Sequence, residues 1–275
     1  GSLATFDGEF QRPAPLALGR ARWPLFLACV VLIGVTAFLP IGRLTWEAGG
    51  GPRGWSFSGL QAAFARGVET GRADLQRSLL FASVAALLSL VPALVIGHAL
   101  ERSKRGAWLE PLVVLPIAVP AILFGIGYIA LWNNESTAEI YSSGVVVVLL
   151  LLGRFAPFPI LAVSGATALL DKRLEEAGQL GGAGPVRRLF SIVAPAVRPA
   201  LLGGAALVFV FGMRELDAAV LVPAANGTAM FRVYNAIHFG RDDFVAALAL
   251  LVIFLILLPG ILWSAFSRDG AEDTL

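Results

Sequence analysis

The chain has 275 residues and a formal net charge of +2, from 21 basic and 19 acidic side chains, and this near balance favours no nucleic acid or other polyanion as partner. Hydrophobic residues make up 57% and charged residues 15%, against roughly 45–50% and about 25% in ordinary soluble domains, and the mean hydropathy is +0.78. A soluble globular enzyme does not fit that composition. A large catalytic domain outside a membrane is excluded, because at about 20 apolar residues per crossing the chain has room for about six spans and short connectors.

In chain order, residues 1–22 read as a cytoplasmic N-terminal segment or linker. The chain opens on Gly1-Ser2, and its only methionines are Met213 and Met230, so a cut, processed or tagged product is expected. The first apolar run, at about 24 to 41, follows Arg12, Arg20 and Arg22 as in a signal peptide. It is long, however, and has no clear small-x-small cleavage site, so it reads as a span. Further apolar windows at about 78 to 99, 111 to 132, 143 to 169, 199 to 222 and 245 to 266 complete a six-helix transmembrane domain over 23–266, with a cytoplasmic tail at 267–275. Runs this long must be helical, since hydrocarbon offers backbone groups no water and a barrel strand needs only about 9–11 alternating residues. The expected fold class is all-α integral membrane.

Orientation follows from the basic residues. With both termini inside, twelve lie in cytoplasmic segments and seven outside, while Arg154 and Arg214 fall within spans; the bias supports cytoplasmic termini. Pro116 and Pro120 are four apart on one face of the third span and predict a bend there. Gly203-Gly204-Ala205-Ala206 offers a small-residue surface for close helix approach. Cys29 is the only cysteine, so no internal disulfide can form. His98 and His238, too few and too far apart, give no metal site, and each reads as a satisfied or exposed histidine.

Between the fourth and fifth spans, the loop at 171–198 is too patterned for a connector. Leu174, Ala177 and Leu180 recur at helical spacing, Gly181 and Gly182 end that helix, and Pro185 suits the first turn of a second one. This helix-turn-helix carries an apolar stripe that needs a covering partner. Its residues resemble the EAA loop of the permease subunits of binding-protein-dependent ABC importers. The signature runs Glu-Ala-Ala, three residues, Gly, nine residues, Ile, one residue, Leu-Pro. Glu176, Ala177, Gly182, Ile192 and Pro195 match it, whereas Gly178 replaces the second alanine and Ala194 the leucine. Gly178 lowers helix propensity by up to about 1 kcal/mol, which predicts a less rigid docking helix.

Elsewhere, Leu115-Pro116-Ile117-Ala118-Val119-Pro120 looks like the third span of type I importer permeases. Arg214-Glu215-Leu216 with Tyr234, His238 and Gly240 looks like ferric-iron permeases, and Gly8-Glu9-Phe10-Gln11-Arg12-Pro13 resembles the linker before the second half of two-unit iron permeases. The resemblance implies a type I permease architecture, as half of a fused permease or as a separate subunit. It further implies a dimer of ATPase subunits at the loop, a second permease unit, a periplasmic or surface-anchored solute-binding protein, and ferric iron as the first guess for cargo. Glu175, Glu176, Ala177, Gly178, Leu180, Gly182, Arg187 and Leu189 would be the ATPase-coupling residues, with Glu176 offering its carboxylate and Ala177 and Leu180 filling a groove.

ATP-driven transport requires a phosphate-binding loop with its lysine, and neither Lys104 nor Lys172 lies in that context. The chain is therefore expected not to be the ATPase, with no cofactor of its own and ATP and Mg bound by the partner. Charges within spans cost about 2.5–3.5 kcal/mol each, so Arg154, Arg214, Glu215 and Asp217 are expected either to line the translocation path or to form intramembrane ion pairs. Arg214 and Asp217, three apart, would neutralise each other, leaving Glu215 for Arg154. A stand-alone secondary transporter or channel using Arg154, Glu215 and Asp217 is the rival class; it gives no account of the loop.

Overall fold

The structure is a computed structural model, and it describes residues 18–50, 54–223, 226–240 and 242–269, with side chains described to residue 261. The N-terminal segment before residue 18, the end of the tail, Arg53 and Arg241 lie outside those residues. The chain forms two compact units, Gly1–Arg43 and Leu44–Leu275. Helix α1 covers Gly19–Gly49; its part in the first unit is almost entirely solvent-exposed and apolar, as expected of a lipid-facing span.

In the second unit, α2 covers Phe57–Arg102. Ser56 starts it, its Oγ accepting from the Gly59 N–H at 3.0 Å, an N-cap that satisfies one orphan donor of the first turn. Its 46 residues make a rod of about 69 Å at 1.5 Å per residue, more than twice the hydrocarbon thickness of about 30 Å. The connection between the first two apolar runs, about 42 to 77, is thus mostly helix. Gly67 and Gly71, which look loop-forming in the sequence, are the places where Leu251 and Leu248 pack.

Next come α3 (Gly106–Ala118) and α4 (Ala121–Trp132), bent by 103° at their junction. Pro120 disfavours the α region for the residue before it, and Val119 is extended at φ −79°, ψ 127°. The bend expected from the proline pair becomes a full break. The short α5 (Ala138–Ser142) leads to α6 (Val145–Phe155) and α7 (Pro157–Leu169), which bend by 41° at a proline seated in the first turn of α7, where its missing N–H costs least. Then follow α8 (Lys172–Leu180), α9 (Pro185–Ala196) and α10 (Arg198–Arg214), the last two bent by 80°. The fifth span therefore ends at Arg214 rather than near 222; residues 215–223 hold only a 3-10 turn at Ala219–Leu221. Helices α11 (Ala229–Ile237) and α12 (Asp242–Asp269) close the chain. By length and apolarity, three helices and three bent pairs allow up to six spans among the described residues, the number expected from the sequence.

The core lies between α2, α6, α7 and α10. Ala82, Ala85, Val146, Leu150, Val208 and Met213 fill one cluster, and Leu94, Ile160, Val163, Val193, Val197 and Leu201 fill a second. Small residues let these helices approach closely. At Gly204 a β-carbon would lie 2.4 Å from Pro159 Cα, so the expected small-residue surface is where α10 meets α7. The second cluster reaches the end of α9 through Val193, tying the loop to the bundle.

Candidate functional site

The loop is hydrogen-bonded into one unit. Asp171 caps α8, its Oδ1 accepting from the Arg173 N–H at 2.9 Å. The helix ends in a turn in which Ala183 N–H donates to Gly178 O and Gly182 N–H to Gln179 O, each at 3.0 Å, the pattern of a Schellman motif. Gly182 adopts φ +80°, which a side chain would strain. Arg188 spans the turn from α9, its Nη1 donating to Gln179 Oε1 at 2.8 Å and to Glu175 O at 3.4 Å. The glycine at 178 has a packing reason: a β-carbon there would sit 2.4 Å from Ile192 Cδ1, so its absence lets α8 and α9 close together.

The residues expected to meet an ATPase divide into two sets. Glu176, Ala177, Gly182 and Arg187 are exposed, Leu180 is 91% exposed, and Leu174, Val186 and Phe190 of the same loop are exposed as well. Gly178 and Leu189 are half-buried, and Leu189 packs on the second core cluster.

Glu175 is turned inward. Its Oε2 is 2.7 Å from His98 Nε2 and its Oε1 accepts from Arg102 Nε at 2.8 Å, the carboxylate being 14% exposed. Arg102 also donates from Nη2 to Leu170 O at 2.6 Å. Burial pushes the Glu175 carboxyl up, but the hydrogen bonds and charges of Arg102 and His98 outweigh it and hold the group below the usual carboxylate range. His98 and Arg102 stand four apart at the end of α2, on one face, so three side chains clamp the loop to the longest helix. Neither partner was singled out by the sequence for this role. Their i, i+4 spacing was visible, but nothing local ties them to a carboxylate more than 70 residues away.

The charges at the fourth and fifth spans also meet. Arg154, in the last turn of α6, places Nε 3.4 Å from Glu215 Oε2, with side chains 19% and 7% exposed. Glu215 Oε1 accepts from the Ala218 N–H at 2.9 Å, which stabilises the turn where α10 stops. Arg154 Nη1 is buried without a hydrogen-bond partner among the described residues. The expected Arg214–Asp217 pair is corrected: α10 ends at Arg214 and Glu215 is extended, at ψ 122°. Helical spacing therefore does not carry through to Asp217. Both side chains are exposed, and no ion pair joins them among the described residues.

A third charged cluster lies about 36 Å along α2 from His98, at 24 residues and 1.5 Å each, a separation greater than the thickness of a hydrocarbon layer, about 30 Å. There Asp74, buried, pairs with Arg77 and with Arg232 of α11. His238, exposed, places Nδ1 2.8 Å from Tyr234 O. Among the described residues no group of three or more His, Cys, Asp or Glu could hold a metal ion.

Bent apolar helices, a buried ion pair and an exposed helix-turn-helix clamped to the bundle fit a polytopic membrane protein. The chain belongs to the family of inner membrane components of binding-protein-dependent transport systems, whose model matches residues 85–269. It is 27% identical over 198 residues to a ferric transport system permease protein of Actinobacillus pleuropneumoniae, covering 70% of this chain and 29% of that protein. To a molybdate/tungstate transport system permease protein of Pyrococcus abyssi it is 30% identical over 161 residues, covering 58% and 63%. The chain thus spans under a third of the ferric relative and less than two thirds of the archaeal one. A crystal structure of a bacterial ABC transporter involved in the import of the acidic polysaccharide alginate has the same fold. Its TM-score is 0.65 at 15% identity, with 91% of this chain and 98% of that one covered.

Proposed function

We propose that the chain is the membrane-spanning unit of an ATP-driven importer, receiving solute from a binding protein and passing it across the inner membrane by alternating access. The observation that carries this is the loop at 171–198: a hydrogen-bonded helix-turn-helix that exposes Glu176, Ala177 and Leu180 while Glu175 fastens it to α2. Exposed apolar side chains on a hydrogen-bonded helix-turn-helix are what a docking groove could cover. Two ATPase subunits, one meeting this loop, would bind ATP and Mg; closing on ATP, they would move the loop, and the clamp would pass that motion to α2. A second permease unit would complete the pathway. Ferric iron is the first cargo to test, on the likeness of Arg214-Glu215-Leu216, Tyr234, His238 and Gly240 to ferric permeases. A secondary transporter built on Arg154, Glu215 and Asp217 would leave the exposed apolar side chains of the loop without purpose.

In this arrangement both termini and the loop are cytoplasmic, and the segments around 42–77 and 223–244 face the binding protein. With Cys29 replaced by Ala, cysteine at Ser103 or Ser191 is expected to resist a membrane-impermeant thiol reagent added to intact cells. Cysteine at Ser58 or His238, both exposed, is expected to react. The reverse pattern would put the loop where no ATP is available and end the proposal.

A further inference from the structure

In the half of α2 remote from the loop, a cavity of about 640 Å³ opens between α2, α11 and the start of α12. Its charged lining consists of Asp74, Arg77 and Arg232, which leaves one positive charge in excess. Asp74 has both oxygens engaged, Oδ1 by Arg77 Nη2 and Oδ2 by Arg232 Nε, and Arg77 Nε donates to Gly227 O at 2.9 Å. Three guanidinium nitrogens are left without a hydrogen-bond partner among the described residues: Nη1 of Arg77, and Nη1 and Nη2 of Arg232. The buried carboxylate therefore acts as a bracket. It fixes two guanidinium groups in place and cancels only one of their charges.

The rest of the wall is chemically selective. Phe231, Phe239 and Phe244 line the cavity together with the amide side chain of Asn235, and Phe239 is 79% exposed. Pre-organised guanidinium donors match a planar carboxylate or an oxyanion. A cation would meet two arginines, and a neutral apolar ligand would strand their unpaired donors.

We infer that this cavity is a receptor for a carboxylate, held by the free Nη nitrogens of Arg77 and Arg232 with the phenylalanines covering its carbon skeleton. The carboxylate has two possible sources, a free small carboxylic acid or a glutamate side chain presented by a protein. Its placement on the solute-binding face rests on the proposed orientation, but the binding chemistry does not.

The test uses the full chain purified in mild detergent, with calorimetric titration at constant ionic strength. The probes are citrate, succinate and a pair of blocked hexapeptides differing only by one Glu or Gln. Binding of citrate or succinate assigns a free ligand. Binding of the Glu peptide but not of the free acids assigns a protein-borne carboxylate. In either case Arg232→Gln is expected to weaken binding about tenfold or more, the effect of losing a charge-assisted hydrogen bond, and Arg232→Lys less, since the charge stays while the fork is lost. Phe239→Ala, at an exposed position, supplies a variant that leaves the Asp74 bracket intact and is expected to weaken the binding of whichever probe binds. Binding of no probe, equal binding of the Glu and Gln peptides, or affinities unchanged in all three variants would overturn the inference. A reversed orientation would appear in the cysteine labelling and leave these titrations unaffected.

Discussion

Glu175→Gln is expected to loosen the loop from the bundle without removing it from its partner surface. The carboxylate receives a charge-assisted bond from Arg102 and contacts His98. Hydrogen bonds to charged groups contribute about 1.5–3 kcal/mol each, so the isosteric amide should cost the attachment about that much. Hydrogen exchange of the amides in α8 measures it: protection over 172–180 should fall about 10- to 100-fold in the variant while the middle of α2 is unchanged. Were Glu175 instead a direct contact to the ATPase, the variant would lose the partner and keep its protection. The pH dependence has a definite sign. Glu175 is held below the usual carboxylate range, so its stabilisation is full above the ordinary unfolded value of about 4.3 and is lost only as pH falls below that through the lower folded value. Through this group the clamp should not change between neutral pH and about pH 5.

Removing one charge of the Arg154–Glu215 pair is expected to be the most damaging single change in the spans. Both side chains are largely buried, and breaking a buried pair from one side typically costs about 3–5 kcal/mol, whereas removing both charges costs less. Glu215→Gln retains an oxygen for the Ala218 N–H, so the turn after α10 is kept and the variant reports on charge. Arg154→Leu leaves the Glu215 carboxylate buried without its cation. Each single variant should unfold at lower temperature in detergent, with the double variant partly restored; strictly additive losses would show that the two groups do not interact in solution. If the double variant is stable and no longer transports, the pair belongs to the pathway. If it transports normally, the pair is structural.

What could be read in advance was local. Six apolar runs agree with up to six spans among the described residues because length and hydropathy act within each segment, and Pro120 breaks its helix through its effect on Val119 alone. Arg154 could be matched to Glu215 because an intramembrane charge needs a partner and few were on offer. Reasoning failed where tertiary packing overrode the local pattern. Gly67 and Gly71 look like loop residues, yet they sit inside α2 where Leu251 and Leu248 need room. The Arg214–Asp217 expectation extended helical periodicity past the point where Glu215 leaves the helix. The clamp on Glu175 and the bracket on Asp74 join residues 73 and 158 apart in sequence, and no periodicity spans such distances. The helix-turn-helix form of the loop was the most legible part, because it follows from the spacing of a few residues over one turn and two short helices.

The central claim is that the exposed face of the loop holds an ATPase, and co-purification tests it most directly. The chain would be extracted in mild detergent from the membranes of its own source cells, as the wild type and as Glu176→Lys with Gly182→Asp. Both substitutions lie at exposed positions outside the spans, so the bundle should insert and fold in each. The wild type should carry a stoichiometric subunit with a phosphate-binding loop, and the double variant should lose it. A double variant that keeps that subunit and transports normally would contradict the claim.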